Sequence, residues 1–173
     1  MPRACILVAA LVAVGCNGGE RRVERAPTAP TNPLAAGQPF ELRVRVVRPD
    51  GRPARKADVR VYQTDAEGYY RKGPDGSEVG GDQARIVYLV RTDDDGRFVV
   101  KTIVPGQYPT GGPPPHVHFN IPPDDRANDL TVMLDTGGAI DRDHMSRMAR
   151  TWIGRVTVDA GRAVCDVEIA TAR

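Results

Sequence analysis

Phe40-Glu41-Leu42-Arg43-Val44-Arg45-Val46 alternates apolar and charged residues without a break, and this stretch decides the fold. Successive side chains of an extended chain point to opposite faces. Phe40, Leu42, Val44 and Val46 therefore line one face of a strand, which ends at the turn signal Asp50-Gly51 before Pro53. The pattern returns downstream. Val59 and Val61 begin another strand. Residues 84–104 read as a hairpin, with Ile86-Val87-Tyr88-Leu89-Val90 running in, Asp94-Asp95-Gly96 turning and Phe98-Val99-Val100 running out. Further strands are expected over 116–121, 130–134, 153–158 and 163–169, the last two joined by Asp159-Ala160-Gly161-Arg162. Only residues 141–150 look helical. The expected fold is all-β: an antiparallel β-sandwich of about seven to nine strands with one short helix.

A chain of 173 residues is long enough for one domain with a sizeable core. Its start reads as an export signal: Arg3, then a small and apolar run over 4–14, then Gly15 and Cys16. At about a dozen residues the run is shorter than the roughly 20 that a membrane-spanning helix needs. Ala13-Val14-Gly15-Cys16 resembles a bacterial lipobox. That likeness implies lipidation of Cys16, a membrane hold through the lipid, and a lipoprotein facing the periplasm or sitting at the outer membrane or cell surface. Residues 16–37, rich in Pro, Ala, Thr, Gly and charge, read as a lipidated cysteine followed by a disordered tether. The expected organisation is thus signal 1–15, tether 16–37 and folded domain 38–173. Cys5 leaves with the signal and Cys16 is acylated, so Cys165 has no partner for a disulfide. A net charge of +2 without a concentrated basic face argues against nucleic acid as a partner.

The sharpest chemical feature is Pro115-His116-Val117-His118-Phe119. Residues i and i+2 of a strand project from one face, so two imidazoles can aim at one point. An isolated His-x-His is more often a pair of surface or core polar residues than a metal site, but here it holds two of the chain's three histidines. Upstream lie Asp65-Ala66-Glu67-Gly68-Tyr69-Tyr70-Arg71, Thr92-Asp93-Asp94-Asp95-Gly96-Arg97-Phe98 and Thr102-Ile103-Val104-Pro105-Gly106-Gln107-Tyr108-Pro109.

These four segments, in this order over residues 38–122, resemble the intradiol ring-cleavage dioxygenases of the protocatechuate and catechol type. The resemblance implies a ferric iron held by two phenolates, Tyr70 and Tyr108, and two imidazoles, His116 and His118. Tyr108 and His118 would be axial, and Tyr70 and His116 would share the equatorial plane with hydroxide. It implies, too, that a catechol-type diol and O2 are the substrates, that a muconate-type diacid is the product, and that Tyr108 is the catalytic group that yields its place to substrate and takes up a proton. Two phenolates and a hydroxide balance the charge of Fe(III), whereas ferrous oxygenases favour two His and a carboxylate, and structural zinc favours Cys and His. The family commonly carries an arginine three residues before the first of the paired histidines; here that position is Pro113. Arg71 and Arg85 are the candidate substitutes for substrate binding.

Several features have plainer readings. Gly51-Arg52-Pro53 through Val59, the Asp-Gly turn and Pro105-Gly106-Gln107-Tyr108 also resemble transthyretin-like and Cna-type sandwich domains, so a non-catalytic binding module on a tether is the alternative. Tyr69 competes with Tyr70, since neighbours in an extended segment point opposite ways. Tyr62 and Tyr88 read as packed aromatics. Asp93-Asp94-Asp95-Gly96 reads as a turn rather than a calcium loop, His144 as an exposed helix residue, Trp152 as core and Cys165 as a small buried residue.

Overall fold

The computed structural model describes residues 33–122, 129–137, 140, 141, 148 and 150–171. The leader, Cys16, most of the expected tether and His144 lie outside these residues, as do seven of the ten residues of the expected helix over 141–150. The chain forms strands β1 (Pro39–Val47), β2 (Asp58–Gln63), β3 (Arg71–Lys72) and β4 (Glu78–Val79), then a 3-10 turn at Gly81–Gln83. There follow β5 (Ile86–Arg91), β6 (Arg97–Ile103), β7 (His116–Asn120), β8 (Asp129–Asp135), β9 (Thr151–Asp159) and β10 (Arg162–Ala170). Eight strands make one strongly curved sheet in the order β5-β2-β7-β8-β9-β10-β1-β6, while β3 and β4 form a separate ribbon.

The halves β5-β2-β7-β8 and β9-β10-β1-β6 face each other like the layers of a sandwich. Phe98 of β6 and Phe119 of β7 meet across the interior, their ring centroids 6.4 Å apart. The alternation in β1 behaves as its sequence predicts: Phe40, Leu42, Val44 and Val46 are buried beside Val59, Val61, Val117, Leu130 and Ile169. Leu34 packs against this core, and Gly37 N–H donates to Val104 O at 2.8 Å, so residues just ahead of 38 make contacts with the folded domain.

Two features differ from the expected arrangement. Residues 84–104 do not form a hairpin: β5 pairs with β2, and β6 pairs with β1. The segment between them crosses from one layer to the other. Thr92 pins this corner, its hydroxyl donating to Ala54 O at 2.5 Å and accepting from Ala57 N–H at 2.9 Å. The Asp93 carboxylate accepts from the N–H groups of Asp95 and Arg97, which tightens the turn and holds that carboxyl below its usual range. The second difference is direction. β8 with β9 and β1 with β10 are parallel pairs. A parallel return needs a connection of about a dozen residues or more, and residues 136–150 supply one between β8 and β9.

Cys165 is fully buried, and burial pushes its thiol up to about 12. A methyl group added at Gly154 would lie 2.5 Å from Cys165 Sγ and 2.9 Å from Val132 Cγ1. Gly154→Ala is therefore expected to overpack the junction of the two layers at a cost of about 1–3 kcal/mol, read from denaturant unfolding. In the native protein Cys165 should resist thiol alkylation at pH 8 and react once the chain is unfolded; rapid native labelling would contradict this burial.

Candidate metal centre

β7 separates core from site. Val117 and Phe119 point into the sandwich and are fully buried, so His116 and His118 project from the opposite face of the sheet. Residues 64–85 and 104–115 cover that face and bring phenols to the imidazoles. Tyr70 Oη and Tyr108 Oη are 2.6 Å apart, and Tyr108 Oη lies 2.9 Å from His116 Nε2. The rings of His116 and His118 stand 4.8 Å apart at 79°. All four side chains singled out as ligands in the sequence thus converge on one point.

The protonation pattern favours metal binding. His116 Nδ1 donates to Pro114 O at 2.8 Å, which fixes the tautomer and turns the lone pair of Nε2 toward Tyr108. His118 Nδ1 lies 3.2 Å from Thr131 Oγ1, so Nε2 is the nitrogen that can serve as donor. Burial holds the pKa of His116 below its ordinary value and takes that of His118 down to about 3, with His116 and Arg60 adding to the second shift. Both imidazoles are neutral at pH 7 and keep their lone pairs. Burial raises Tyr108, partly countered by its hydrogen bond with Tyr70. Without a cation the phenol keeps its proton.

Two loops set the phenols, and glycine lets them touch. In one, the Asp65 carboxylate accepts from Glu67 N–H and Tyr69 N–H, both at 3.0 Å, while Asp65 N–H donates to Tyr69 O. In the other, Gly106 N–H donates to Asp65 O at 2.8 Å, and Gly106 O accepts from the Thr64 hydroxyl at 2.8 Å. A methyl group at Gly68, where φ is +88°, would lie 1.9 Å from Gln107 O. One at Gly106 would lie 2.5 Å from Ala66 O and Gly68 N. Only bare backbone allows this approach, and it is what aligns Tyr70 with Tyr108. In sequence these glycines stand inside the motifs but carry no sign of the contact between them.

The other candidates fall as follows. Tyr69 is turned away from the cluster, its ring 4.3 Å from Lys72 Nζ, and Lys72 also pairs with Glu67. Arg71 and Arg85 are exposed; Arg85 reaches the site loop through its backbone N–H, which donates to Tyr70 O at 2.9 Å. Tyr88 packs against the core, as expected. Tyr62, which sequence marks only as a packed aromatic, stacks on His118 with centroids 4.8 Å apart and planes at 11°. Its place at the site comes from the pairing of Tyr62 with His118 between β2 and β7, which no local pattern announces.

The separations of 2.6 and 2.9 Å are those of hydrogen bonds, and they bring three of the four donors close enough to share one ion. No group of three or more His, Cys, Asp or Glu among the described residues could hold a metal, so phenols are the acidic oxygen donors at this point. Two neutral imidazoles and two ionisable phenols fit a hard trivalent cation such as Fe(III).

Fold and cluster together define an all-β protein with a convergent site of two imidazoles and two phenols. A family model described as Dioxygenase matches residues 19–138; the chain belongs to that family, the intradiol ring-cleaving dioxygenases. The chain is similar to 6-chlorohydroxyquinol 1,2-dioxygenase of Cupriavidus pinatubonensis, 37% identical over 103 residues, which is 50% of this chain and 36% of that protein. It therefore spans little more than a third of that curated relative. Among solved structures, an intradiol ring-cleavage dioxygenase from Tetranychus urticae superposes with a TM-score of 0.58 at 17% identity, over 78% of this chain and 81% of that one. The dioxygenase domain of a carbohydrate-binding fusion protein from Streptomyces sp. SirexAA-E gives 0.54 at 18% identity, over 86% and 94%. Catechol 1,2-dioxygenase from Acinetobacter sp. ADP1 gives 0.55 at 18% identity, over 79% and 53%. At these identities the structural likeness is one of fold.

Gly68→Ala is expected to part the two loops and separate Tyr70 from Tyr108. The measurement is ferric ion taken up per chain, with circular dichroism confirming the β-core. A folded variant with unchanged iron content would show that this contact does not align the phenols.

Proposed function

We propose that this chain is an Fe(III)-dependent intradiol dioxygenase that opens a catechol-type aromatic ring with O2 to give a muconate-type diacid. The observation that carries the reading is the chain of contacts Tyr70 Oη to Tyr108 Oη to His116 Nε2, with His118 beside it. Tyr70, Tyr108, His116 and His118 would hold the ion. When bound, ferric ion would supply Lewis acidity that draws electron density from the diol's ring.

The chain's own residues have distinct parts. Tyr70 is buried and its carbonyl is held by Arg85 N–H, which suits a ligand that stays in place. Tyr108 is half-buried, with its hydroxyl between Tyr70 Oη and His116 Nε2, which suits a group placed to accept a proton from the arriving diol. Pro114 O keeps His116 in its donor tautomer throughout. The bond between the two hydroxylated carbons breaks, and both oxygen atoms of O2 enter the diacid. The likeness to 6-chlorohydroxyquinol 1,2-dioxygenase is the reason to test hydroxyquinol beside catechol.

Export and lipidation of Cys16 belong to the same proposal; export rests on Arg3 and the apolar run over 4–14, and lipidation on residues 13–16. A non-catalytic sandwich module is the second reading, and Pro113 in place of the family arginine speaks for it. Oxygen uptake separates the two. Iron-loaded protein should consume one O2 per diol opened. Tyr108→Phe should keep some iron yet turn over about a hundredfold or more slowly, and His118→Ala should lose the metal. Iron-loaded wild type that consumes no O2 with either diol would leave the binding module, and full activity in either variant would remove that residue from the site.

A further inference from the structure

We infer that Tyr62 and Arg60 are positioning residues for His118: the Tyr62 ring, stacked on the imidazole and held in turn by Arg60 and the backbone of Gly81, keeps His118 in the orientation from which it joins the other three donors. The inference rests on the proposed metal site.

Four observations carry it. First, Tyr62 and His118 lie directly opposite each other between β2 and β7, and their rings are nearly parallel, at 11°. The other ring neighbours of His118 are tilted or edge-on: Tyr70 at 52° and His116 at 79°. Tyr62 is thus the neighbour that restrains the plane of the imidazole, while Thr131 Oγ1, at 3.2 Å from Nδ1, restrains its flip. Second, Arg60 lies two residues before Tyr62 on the same face of β2, with its Cζ 4.3 Å from the Tyr62 centroid. Third, the Arg60 guanidinium donates to Asn120 Oδ1 at 3.1 Å, Gly81 O at 3.0 Å and Asp82 O at 3.3 Å. These acceptors are neutral, and they tie the cation to the 3-10 turn on one side and to β7 on the other. Fourth, a methyl group at Gly81 would lie 2.5 Å from Tyr62 Cε2, so the turn's backbone closes directly on the ring edge.

A metal-binding imidazole is oriented by what its remaining surface touches, and loss of such partners costs about 10- to 100-fold in metal affinity. His116 obtains this from a carbonyl at 2.8 Å. His118 has a longer contact to a hydroxyl, and the stack adds the restraint that this contact lacks.

The test uses side-chain NMR of the metal-free protein and ferric binding of the same samples. In wild type the His118 ring protons should be shifted upfield by the Tyr62 ring current. Tyr62→Leu should abolish that shift and lower ferric affinity by about 10- to 100-fold, and Tyr62→Phe, which keeps the ring, should restore both. Arg60→Met should move both readouts the same way by less. Should Tyr62→Leu fail to fold, Gly81→Ala, which crowds the ring edge from a surface turn, is expected to displace the same His118 resonances and weaken ferric binding. A folded Tyr62→Leu or Gly81→Ala with wild-type His118 shifts, or with lost shifts but unchanged ferric affinity, overturns the inference. If wild type takes up no iron, the proposed function fails, and the stack is judged on the metal-free His118 shifts alone.

Discussion

The period of two in β7 is the constraint on which the rest of the molecule depends. Val117 and Phe119 fill the interior, so His116 and His118 must leave from the other face. A slip of one residue would turn the imidazoles into the sandwich interior and the core side chains toward the site. Ladders to β2 and β8 on either side prevent it, with Val61 opposite Phe119 and Leu130 opposite the same residue. The same ladders furnish the surroundings of His118, since Tyr62 and Thr131 are its two cross-strand partners. Core packing and site geometry are therefore set by one choice of register.

Electrostatics explains why this arrangement suits a cation. Two phenol oxygens 2.6 Å apart cannot both ionise without a positive charge between or beside them. Burial disfavours the charged form of His116, His118 and Tyr108 alike. The site is thus a pocket of neutral donors, two of which have protons to release. A trivalent ion would supply the compensating charge, and proton release would couple its binding to pH.

Much of this was legible in the sequence, because period-two alternation is a local property. Residues 40–46, 59–61 and 116–119 form strands with the expected faces inward, and the four side chains that the family resemblance singles out, Tyr70, Tyr108, His116 and His118, lie together. Pairing was less legible. The turn at Asp94-Asp95-Gly96 has the composition of a hairpin, yet Phe98 and Val100 bury themselves against the other layer and take β6 away from β5. Strand direction was equally hidden, since alternation reads the same whether a neighbour runs parallel or antiparallel. Tyr62 reads only as a packed aromatic, because its stacking on His118 depends on a partner far along the chain. Tyr69 and Tyr70 look alike in sequence, and it is the Asp65 loop that sends one toward Lys72 and the other toward Tyr108.

The most direct test of the account is resonance Raman spectroscopy of the ferric-loaded protein, excited within its visible absorption. Iron-bound tyrosinate gives ring modes that no free phenol shows under that excitation. The account predicts two tyrosinates, one lost in Tyr70→Phe and the other in Tyr108→Phe, with both retained in Tyr69→Phe. Absence of tyrosinate modes, or their loss in Tyr69→Phe, would contradict it.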